Sequence, residues 1–193
     1  MSEVRITRAD DPRLARFYDE VYLPAFAHQR EPLEAWQRAL EGAAYALTIV
    51  LEIEDDRIDG GIVFERYPKS DVALITYLVV APHARRRGVG SRLLDRAMHE
   101  LAGARAIVGE VHDPAHADDP AAARKRIAWF EQRGARVLEI EYVQPDLGYG
   151  RDPHLKLISF RGDDVERALL DRFLDELYAL TEGHRTPVRS PVV

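Results

Sequence analysis

The sequence predicts a mixed α/β domain with the element order β-α-α-β-β-β-α-β-α-β-β and a further helix at the C-terminal end. The run from Val72 to Val80 is almost continuously apolar, which is typical of a strand buried on both faces. Residues 89–101 carry their apolar side chains on one helical stripe. Strand-like and helix-like segments alternate along the chain without an internal repeat, and this alternation indicates a sheet covered by helices.

The first half of the chain predicts one strand, two helices and a hairpin. Val4 to Ile6 alternates weakly and predicts a short strand. Apolar residues then recur at helical spacing over residues 14–22 and 33–40, and we expect Gly42 to end the second helix. Two apolar runs, at residues 46–53 and 61–64, predict the strands of a hairpin, and residues 55–61 carry the turn signal between them.

The second half predicts two further helices between strands and a helix at the end. The predicted helices cover residues 88–101 and 121–132, the latter closed by Gly134. The predicted strands cover residues 104–111, 136–143 and 155–160. Asp163 or Asp164 can cap the final helix. We assign residues 1–182 to a single domain and expect residues 183–193 to form a disordered tail.

Composition narrows the class of protein. The chain has 193 residues and a formal charge of −6. It has no cysteine, and this absence excludes disulfides, thiolate metal sites and a cysteine nucleophile. An acidic chain with a pI near 5.7 argues against a general nucleic-acid binder. Neither a membrane-spanning run nor a secretory signal is visible, so we expect a cytoplasmic protein without membrane partners.

The turn after the strand at 72–80 has the pattern of an anion-binding cradle. Its glycines, Gly88 and Gly90, allow the backbone to approach a ligand closely, and the first amides of the following helix favour an anion. The cluster Arg85-Arg86-Arg87 adds charge-assisted hydrogen bonds to phosphate oxygens. Gly-x-Gly alone is a weak signal, but its position between a buried strand and an amphipathic helix favours a diphosphate site.

The segment from Leu78 to Ser91 resembles the acetyl-CoA motif of the GNAT N-acetyltransferase superfamily. That motif is Gln/Arg-x-x-Gly-x-Gly/Ala, and Arg85, Gly88 and Gly90 meet it. Residues 129–135, an aromatic pair followed by a glycine, are similar to a later helix of the family. The element order over residues 4–160 also resembles the family's acyl-CoA N-acyltransferase fold, so the resemblance covers most of the chain.

The resemblance implies an N-acetyltransferase that uses acetyl-CoA as acyl donor and a primary amine of a small molecule or protein as acceptor. It implies that backbone groups of Leu78, Val79 and Val80 bind the pantetheine arm. It further implies that the pyrophosphate is held by Arg85, Arg86, Arg87, Gly88, Val89, Gly90 and Ser91. The identity of the acceptor, and a longer acyl group in place of acetyl, are left open.

Glu110 is the candidate catalytic base. Amine acetylation needs a group that accepts the ammonium proton, and a carboxylate can do so. Glu110 lies near the end of a predicted strand in Gly109-Glu110-Val111, and some members of the resembled family have a base-like Glu in such a segment. His112 is two residues further on and therefore on the same face. The alternative is that Glu110 pairs with an arginine or holds a loop.

The helix ending at Gly134 departs from the family's pattern. Phe130 occupies the position of the usual Tyr acid, and Ala123 aligns approximately with the usual Asn. Water, Tyr149 or Tyr142 could instead protonate the leaving thiolate. The departure motivates an alternative function, a non-catalytic acyl-CoA-binding sensor or interaction module.

We expect structural roles for two other groups of residues, an acidic and histidine loop and a set of aromatic side chains. The loop residues His112, Asp113, His116, Asp118 and Asp119 match no standard metal spacing, so we expect no metal site. The aromatic residues of the first two helices are expected to be core or lid residues rather than an aromatic cage; these are Tyr18, Tyr22, Phe26 and Trp36. The extra C-terminal helix serves either intramolecular packing or a homodimer.

Overall fold

The computed structural model describes residues 2–26, 31–42, 44–148, 150–161 and 165–183. Its elements follow the predicted order, and the mixed α/β class is confirmed. The strands are β1 (Ser2–Ile6), β2 (Ala46–Glu54), β3 (Arg57–Tyr67), β4 (Val72–Val80), β5 (Ala106–His112), β6 (Arg136–Val137) and β7 (Leu155–Ser159). The α-helices are α1 (Pro12–Phe17), α2 (Leu23–Ala25), α3 (Leu33–Gly42), α4 (Val89–Glu100), α5 (Pro120–Glu131) and α6 (Arg167–Thr181).

The contacts within the chain divide it into two compact units. The first unit comprises Met1–Pro68 and Ile75–Gly103, and the second comprises Lys69–Leu74 and Ala104–Val193. The first unit contains β1, β2 and β3 side by side in that order and residues 75–80 of β4, and the second contains β5, β7 and β6 side by side in that order. The assignment of residues 1–182 to a single domain stays a prediction.

The β2–β3 hairpin is longer than the sequence predicted, and its turn is shorter. Only Asp55 and Asp56 form the turn, with φ angles of 50° and 61°, and the antiparallel register closes at Glu54 and Arg57. A turn over residues 55–61 was therefore the wrong prediction. Two consecutive residues with positive φ match the twist of the strands they join.

Close packing explains why the two glycines of that predicted turn lie inside β3 instead. A Cβ on Gly60 would stand 2.6 Å from the carbonyl oxygen of Val79. A Cβ on Gly61 would stand 2.6 Å from ring carbons of Phe17. These glycines allow a backbone and an aromatic ring to approach the strand closely, which is a packing requirement and not a turn requirement.

The first predicted helix contains a widened turn. A π-helical segment, Tyr18–Tyr22, separates α1 from α2, and segments of this kind often occur at functional sites. Asp11 caps α1, because its side chain accepts a hydrogen bond from the backbone N–H of Arg13. Tyr22 and Trp36 are core residues of the first unit, which confirms that part of the prediction, and Tyr18 and Phe26 are partly buried against this core.

The second unit corrects the prediction of a strand over residues 136–143. β6 contains only Arg136 and Val137, paired antiparallel with β7, which also pairs antiparallel with β5. The N–H of Leu138 still donates to Leu157, and the chain then leaves β7. It forms a separate antiparallel bridge between Gln144 and Asp152, so its later polar groups are satisfied outside the sheet.

Helix α6 is anchored within the second unit. The buried carboxylate of Glu176 accepts the backbone N–H groups of Lys69 and Ser70, at 2.9 and 2.8 Å. The hydroxyl of Tyr178 donates to the carbonyl oxygen of Val143 at 2.9 Å. Glu166 occupies the N-cap position of α6, later in the chain than the predicted cap. The predicted caps, Asp163 and Asp164, and most of the predicted tail, 184–193, lie outside the described residues.

Within the described ranges, no helix is both long and apolar enough to cross a membrane.

Candidate functional site

The turn between β4 and α4 contains two left-handed residues. A short 3-10 helix, Pro82–Ala84, follows β4, and Arg86 and Gly88 then have φ angles of 63° and 81°. The left-handed conformation is costly for a residue with a side chain, by roughly 1–2 kcal/mol, so the surrounding contacts must hold Arg86 in place. Gly88 is the N-cap residue of α4 and offers no capping side chain.

The start of α4 is suited to an anion. The first helical hydrogen bond runs from Arg92 N–H to the carbonyl oxygen of Gly88, at 3.1 Å. The N–H groups of the first turn have no acceptor inside the helix, and the helix dipole adds partial positive charge there. A Cβ at Gly88 would lie 2.9 Å from Nη1 of Arg92, so a larger residue would crowd this end.

The three consecutive arginines of the turn differ in their partners. Arg87 forms an ion pair with Glu54, and its Nη1 lies 3.6 Å from Oδ2 of Asp59. The hydrogen bond to Glu54 is the main cause that raises the pKa of Arg87. Arg85 and Arg86 are exposed, and among the described residues neither forms an ion pair. Two guanidinium groups of the cluster are thus available to a ligand.

Three carboxylates on the hairpin hold this turn, and we call Glu52, Glu54 and Asp59 the hairpin carboxylates. Glu52 and Asp59 are each only 1% exposed. Arg92 binds Glu52 in a bidentate manner, with Nη2 and Nε at 2.5 and 3.1 Å from its two oxygens. Nε2 of His83 lies 2.9 Å from Oδ1 of Asp59. The sequence analysis missed these carboxylates.

The last residues of β4 alternate in exposure. Val79 is buried, whereas Leu78 and Val80 are partly exposed. After the strand ends, the N–H of Ala81 donates to the backbone oxygen of Asp59 at 2.9 Å, so β3 also fixes the exit of the chain. The predicted contact of these residues with a pantetheine arm stays a prediction.

Glu110, on β5 of the second unit, is held by two residues of the loop after β6. The hydroxyl of Tyr142 donates to Oε1, and Nε2 of Gln144 donates to Oε2 at 2.9 Å. Both carboxylate oxygens therefore have a donor, and Glu110 is partly buried. The structure brings Glu110 together with Tyr142, one of the candidate acids, while Tyr149 lies outside the described residues.

His112 follows Glu110 on β5 and is half-buried. Burial is the main cause that lowers its pKa, and the positive charge of Arg126 adds to this effect. The acids Asp152 and Asp118 oppose the shift. The pKa of His112 therefore lies below its usual value, which favours the neutral imidazole near pH 7.

Two residues of the loop after β5, Asp113 and His116, have partners close by. Asp113 accepts the N–H of Ala115 at 2.9 Å and lies 3.4 Å from Nζ of Lys156. The rings of His116 and His154 stack at 4.5 Å. In the described part of the chain, no group of three or more histidine or acidic side chains could hold a metal ion.

Phe130 packs in an apolar contact. It is 8% exposed, and its ring meets that of Phe160 edge-on at 5.4 Å. Ala123, two turns earlier on the same face of α5, is also buried. The two positions that depart from the resembled family's pattern thus have structural packing roles in α5.

Comparisons with known proteins agree on one fold. A family model described as the acetyltransferase (GNAT) family matches residues 12–134. A GNAT-family protein from Bacteroides thetaiotaomicron is 21% identical, with 96% of this chain and 100% of that one aligned and a TM-score of 0.75. The Escherichia coli ribosomal-protein-S18-alanine N-acetyltransferase is 16% identical, with 86% and 97% aligned and a TM-score of 0.56. These structural likenesses concern the fold. A comparison with curated proteins found no match.

The ion pair between the buried Glu52 and the partly exposed Arg92 gives a test of how the turn is held. Arg92→Met leaves the Glu52 carboxylate buried without its cation. We expect the free energy of unfolding, measured by urea denaturation, to fall by about 2–4 kcal/mol. The double variant Arg92→Met with Glu52→Leu removes both charges and should recover much of that loss. Equal stability of the single variant and the parent protein would contradict this account of the pair.

Proposed function

Since the chain belongs to the acetyltransferase (GNAT) family, as the match over residues 12–134 shows, we propose that it moves an acetyl group from acetyl-CoA to a primary amine of a small molecule or peptide. The chain is an acyltransferase by this membership. One observation supports acetyl-CoA as the acyl donor. At the start of α4, the exposed Arg85 and Arg86 and the first-turn amides of the helix lie on one turn.

Acetyl-CoA carries a diphosphate, and the turn fits such a group. Arg85 and Arg86 supply guanidinium groups that can bind phosphate oxygens in a bidentate manner. The amides of Val89 and Gly90 supply donors that need no metal ion. Arg87 contributes its backbone to the turn, since its guanidinium is engaged by Glu54.

Glu110 is the proposed base of the reaction. When bound, acetyl-CoA supplies the thioester that the amine attacks. The amine nitrogen forms the new bond to the acetyl carbon, the carbon–sulfur bond breaks, and the ammonium proton must leave. A partly buried carboxylate that is held by two donors can accept that proton.

Tyr142 is the proposed proton donor for the departing thiolate. Its hydroxyl donates to Glu110, so a proton taken up by the carboxylate can replace one that the phenol gives away. This arrangement leaves no net change in either residue after one turnover. It also removes the need for an acid at position 130, where Phe130 is packed among aromatic rings.

The cradle assignment predicts a large loss of acetyl-CoA affinity in the double variant Arg86→Glu with Gly88→Trp. The first change replaces a cation with an anion, and the second places an indole at the helix start. We expect affinity to fall roughly 10–100-fold by isothermal titration calorimetry. Arg172→Glu, a charge reversal of an exposed arginine on α6, is the matched control and should leave affinity unchanged. Unchanged affinity in the double variant would overturn the cradle.

The catalytic assignment predicts that Glu110→Gln lowers kcat by roughly 10²–10⁴-fold while acetyl-CoA affinity is retained. The rate is measured as free thiol release with a panel of primary amines. Tyr142→Phe should also lower kcat, by a smaller factor, because water can protonate a thiolate. Glu139→Gln makes the same chemical change at an exposed site and should leave kcat unchanged. A Glu110→Gln variant with full turnover would exclude Glu110 as the base.

A further inference from the structure

A buried carboxylate lies among the aromatic residues of the first unit. Glu31 is 9% exposed and directly precedes Pro32 at the start of the α3 region. Nε1 of Trp36 donates to its Oε2 at 2.7 Å, and the side chain of Tyr77 also forms a hydrogen bond to the carboxylate. The sequence analysis did not single out Glu31, because a glutamate beside a proline in a polar segment has no distinctive pattern.

The backbone of Glu31 is held as firmly as its side chain. Its N–H donates to the hydroxyl oxygen of Tyr22 at 2.9 Å. Its carbonyl oxygen accepts the hydroxyl of Tyr18, also at 2.9 Å. Four aromatic residues, from the helical region and from β4, thus fix the position of one acid.

The rings around Glu31 form a continuous cluster that we call the aromatic box, and its members are Tyr18, Tyr22, Phe26, Trp36 and Tyr77. Tyr22 contacts Trp36 and Tyr77 with ring centroids 4.6 and 4.9 Å apart. Phe26 meets Tyr77 at 5.2 Å. Tyr18 and Phe26 are the partly exposed members, so the box reaches solvent on their side.

The carboxylate of Glu31 has hydrogen-bond donors but no cationic partner among the described residues. Burial is the largest cause that raises its pKa, and the hydrogen bonds from Trp36 and Tyr77 oppose that shift. A buried carboxylate without a counter-charge is costly. An ionised carboxylate can accept about four hydrogen bonds, so acceptor positions remain for a further donor.

A second carboxylate lies near the box. Glu65 is 6% exposed and accepts the hydroxyl of Tyr67 at 2.5 Å. Tyr45 stacks on Tyr67 with centroids 5.5 Å apart. After burial, the negative charges of Glu65 and Glu31 are the causes that raise the pKa of Tyr45, so both acids act on one phenol. The positive charge of Arg38 opposes this shift of the Tyr45 pKa.

We propose that Glu31 and the aromatic box bind an ammonium group of the acetyl acceptor, and that this ammonium is a different nitrogen from the one that is acetylated. The proposal rests on the proposed function. Carboxylate and aromatic faces together are the groups that bind ammonium in proteins. A nitrogen that is to be acetylated must lose its proton, and a carboxylate that favours the charged form would oppose this at the nitrogen it holds.

The acceptor class that follows is a diamine or polyamine. Tyr77 immediately precedes Leu78, the first residue assigned to the pantetheine arm, so the box lies beside the strand that is proposed to carry the donor. One cationic nitrogen held at Glu31 would leave a second nitrogen of the same molecule for the reaction. A monoamine would lack one of these two groups.

Indole fluorescence gives a test that does not depend on activity. The chain has two tryptophans, so a Trp129→Phe background leaves Trp36 as the only indole emitter. We expect 1,5-diaminopentane and spermidine to change Trp36 emission in a saturable way, and pentylamine to bind at least tenfold more weakly. Glu31→Gln, which retains an acceptor for Trp36, should weaken diamine binding at least tenfold and leave acetyl-CoA affinity unchanged.

Two comparisons separate recognition from folding. Glu176→Gln alters another buried carboxylate, in the second unit, and should leave diamine binding unchanged. If Glu31→Gln does not fold, Glu31→Asp keeps the charge, shortens the side chain and should still weaken binding.

The outcomes also separate this proposal from the proposed function. No saturable binding by either probe, or equal binding by parent and Glu31→Gln protein, would overturn the ammonium site. Binding that depends on Glu31 without thiol release would support the site and contradict the acetyl transfer. Thiol release with monoamines as good as with diamines would contradict the acceptor class.

Discussion

The pairing of buried hairpin carboxylates with side chains of the following turn and of α4 is the interaction on which the cradle depends. Glu52 and Asp59 are almost fully buried, and such charges are tolerated only with partners. Arg92 and His83 provide those partners from either side of the arginine cluster. The turn is thereby held in a conformation that includes the left-handed Arg86, and its remaining guanidinium groups stay exposed.

Elements whose pattern is local could be predicted from the sequence. The continuous apolar run gave β4 with its observed bounds, and the apolar stripe gave α4 within one residue at each end. The errors have non-local causes. Gly60 is of a residue type that is common in turns. It lies inside a strand because the carbonyl oxygen of Val79, which is distant in sequence, packs too close for a side chain. Residues 138–143 alternate as a strand would, yet their loop is drawn to Glu110 through Tyr142.

The residues of the candidate site also fall into those that the sequence could predict and those that it could not. A motif with fixed spacing was enough to single out the turn, because its residues are consecutive and its glycines mark the backbone. The residues that hold the functional side chains lie tens of residues away from them in sequence. Glu52 binds Arg92, and Tyr142 binds Glu110. Glu31 is the clearest example, because only its burial among aromatic rings distinguishes it from other glutamates of the chain. Single-sequence reasoning has no access to burial of that kind.

The central claim is that the turn from Arg85 to Ser91 binds the diphosphate of acetyl-CoA. Amide hydrogen exchange, followed by mass spectrometry with and without saturating acetyl-CoA, tests it most directly. The account predicts slower exchange in the peptide that covers this turn, because its amides become donors to phosphate oxygens. Protection elsewhere in the chain, with unchanged exchange over residues 85–91, would contradict it.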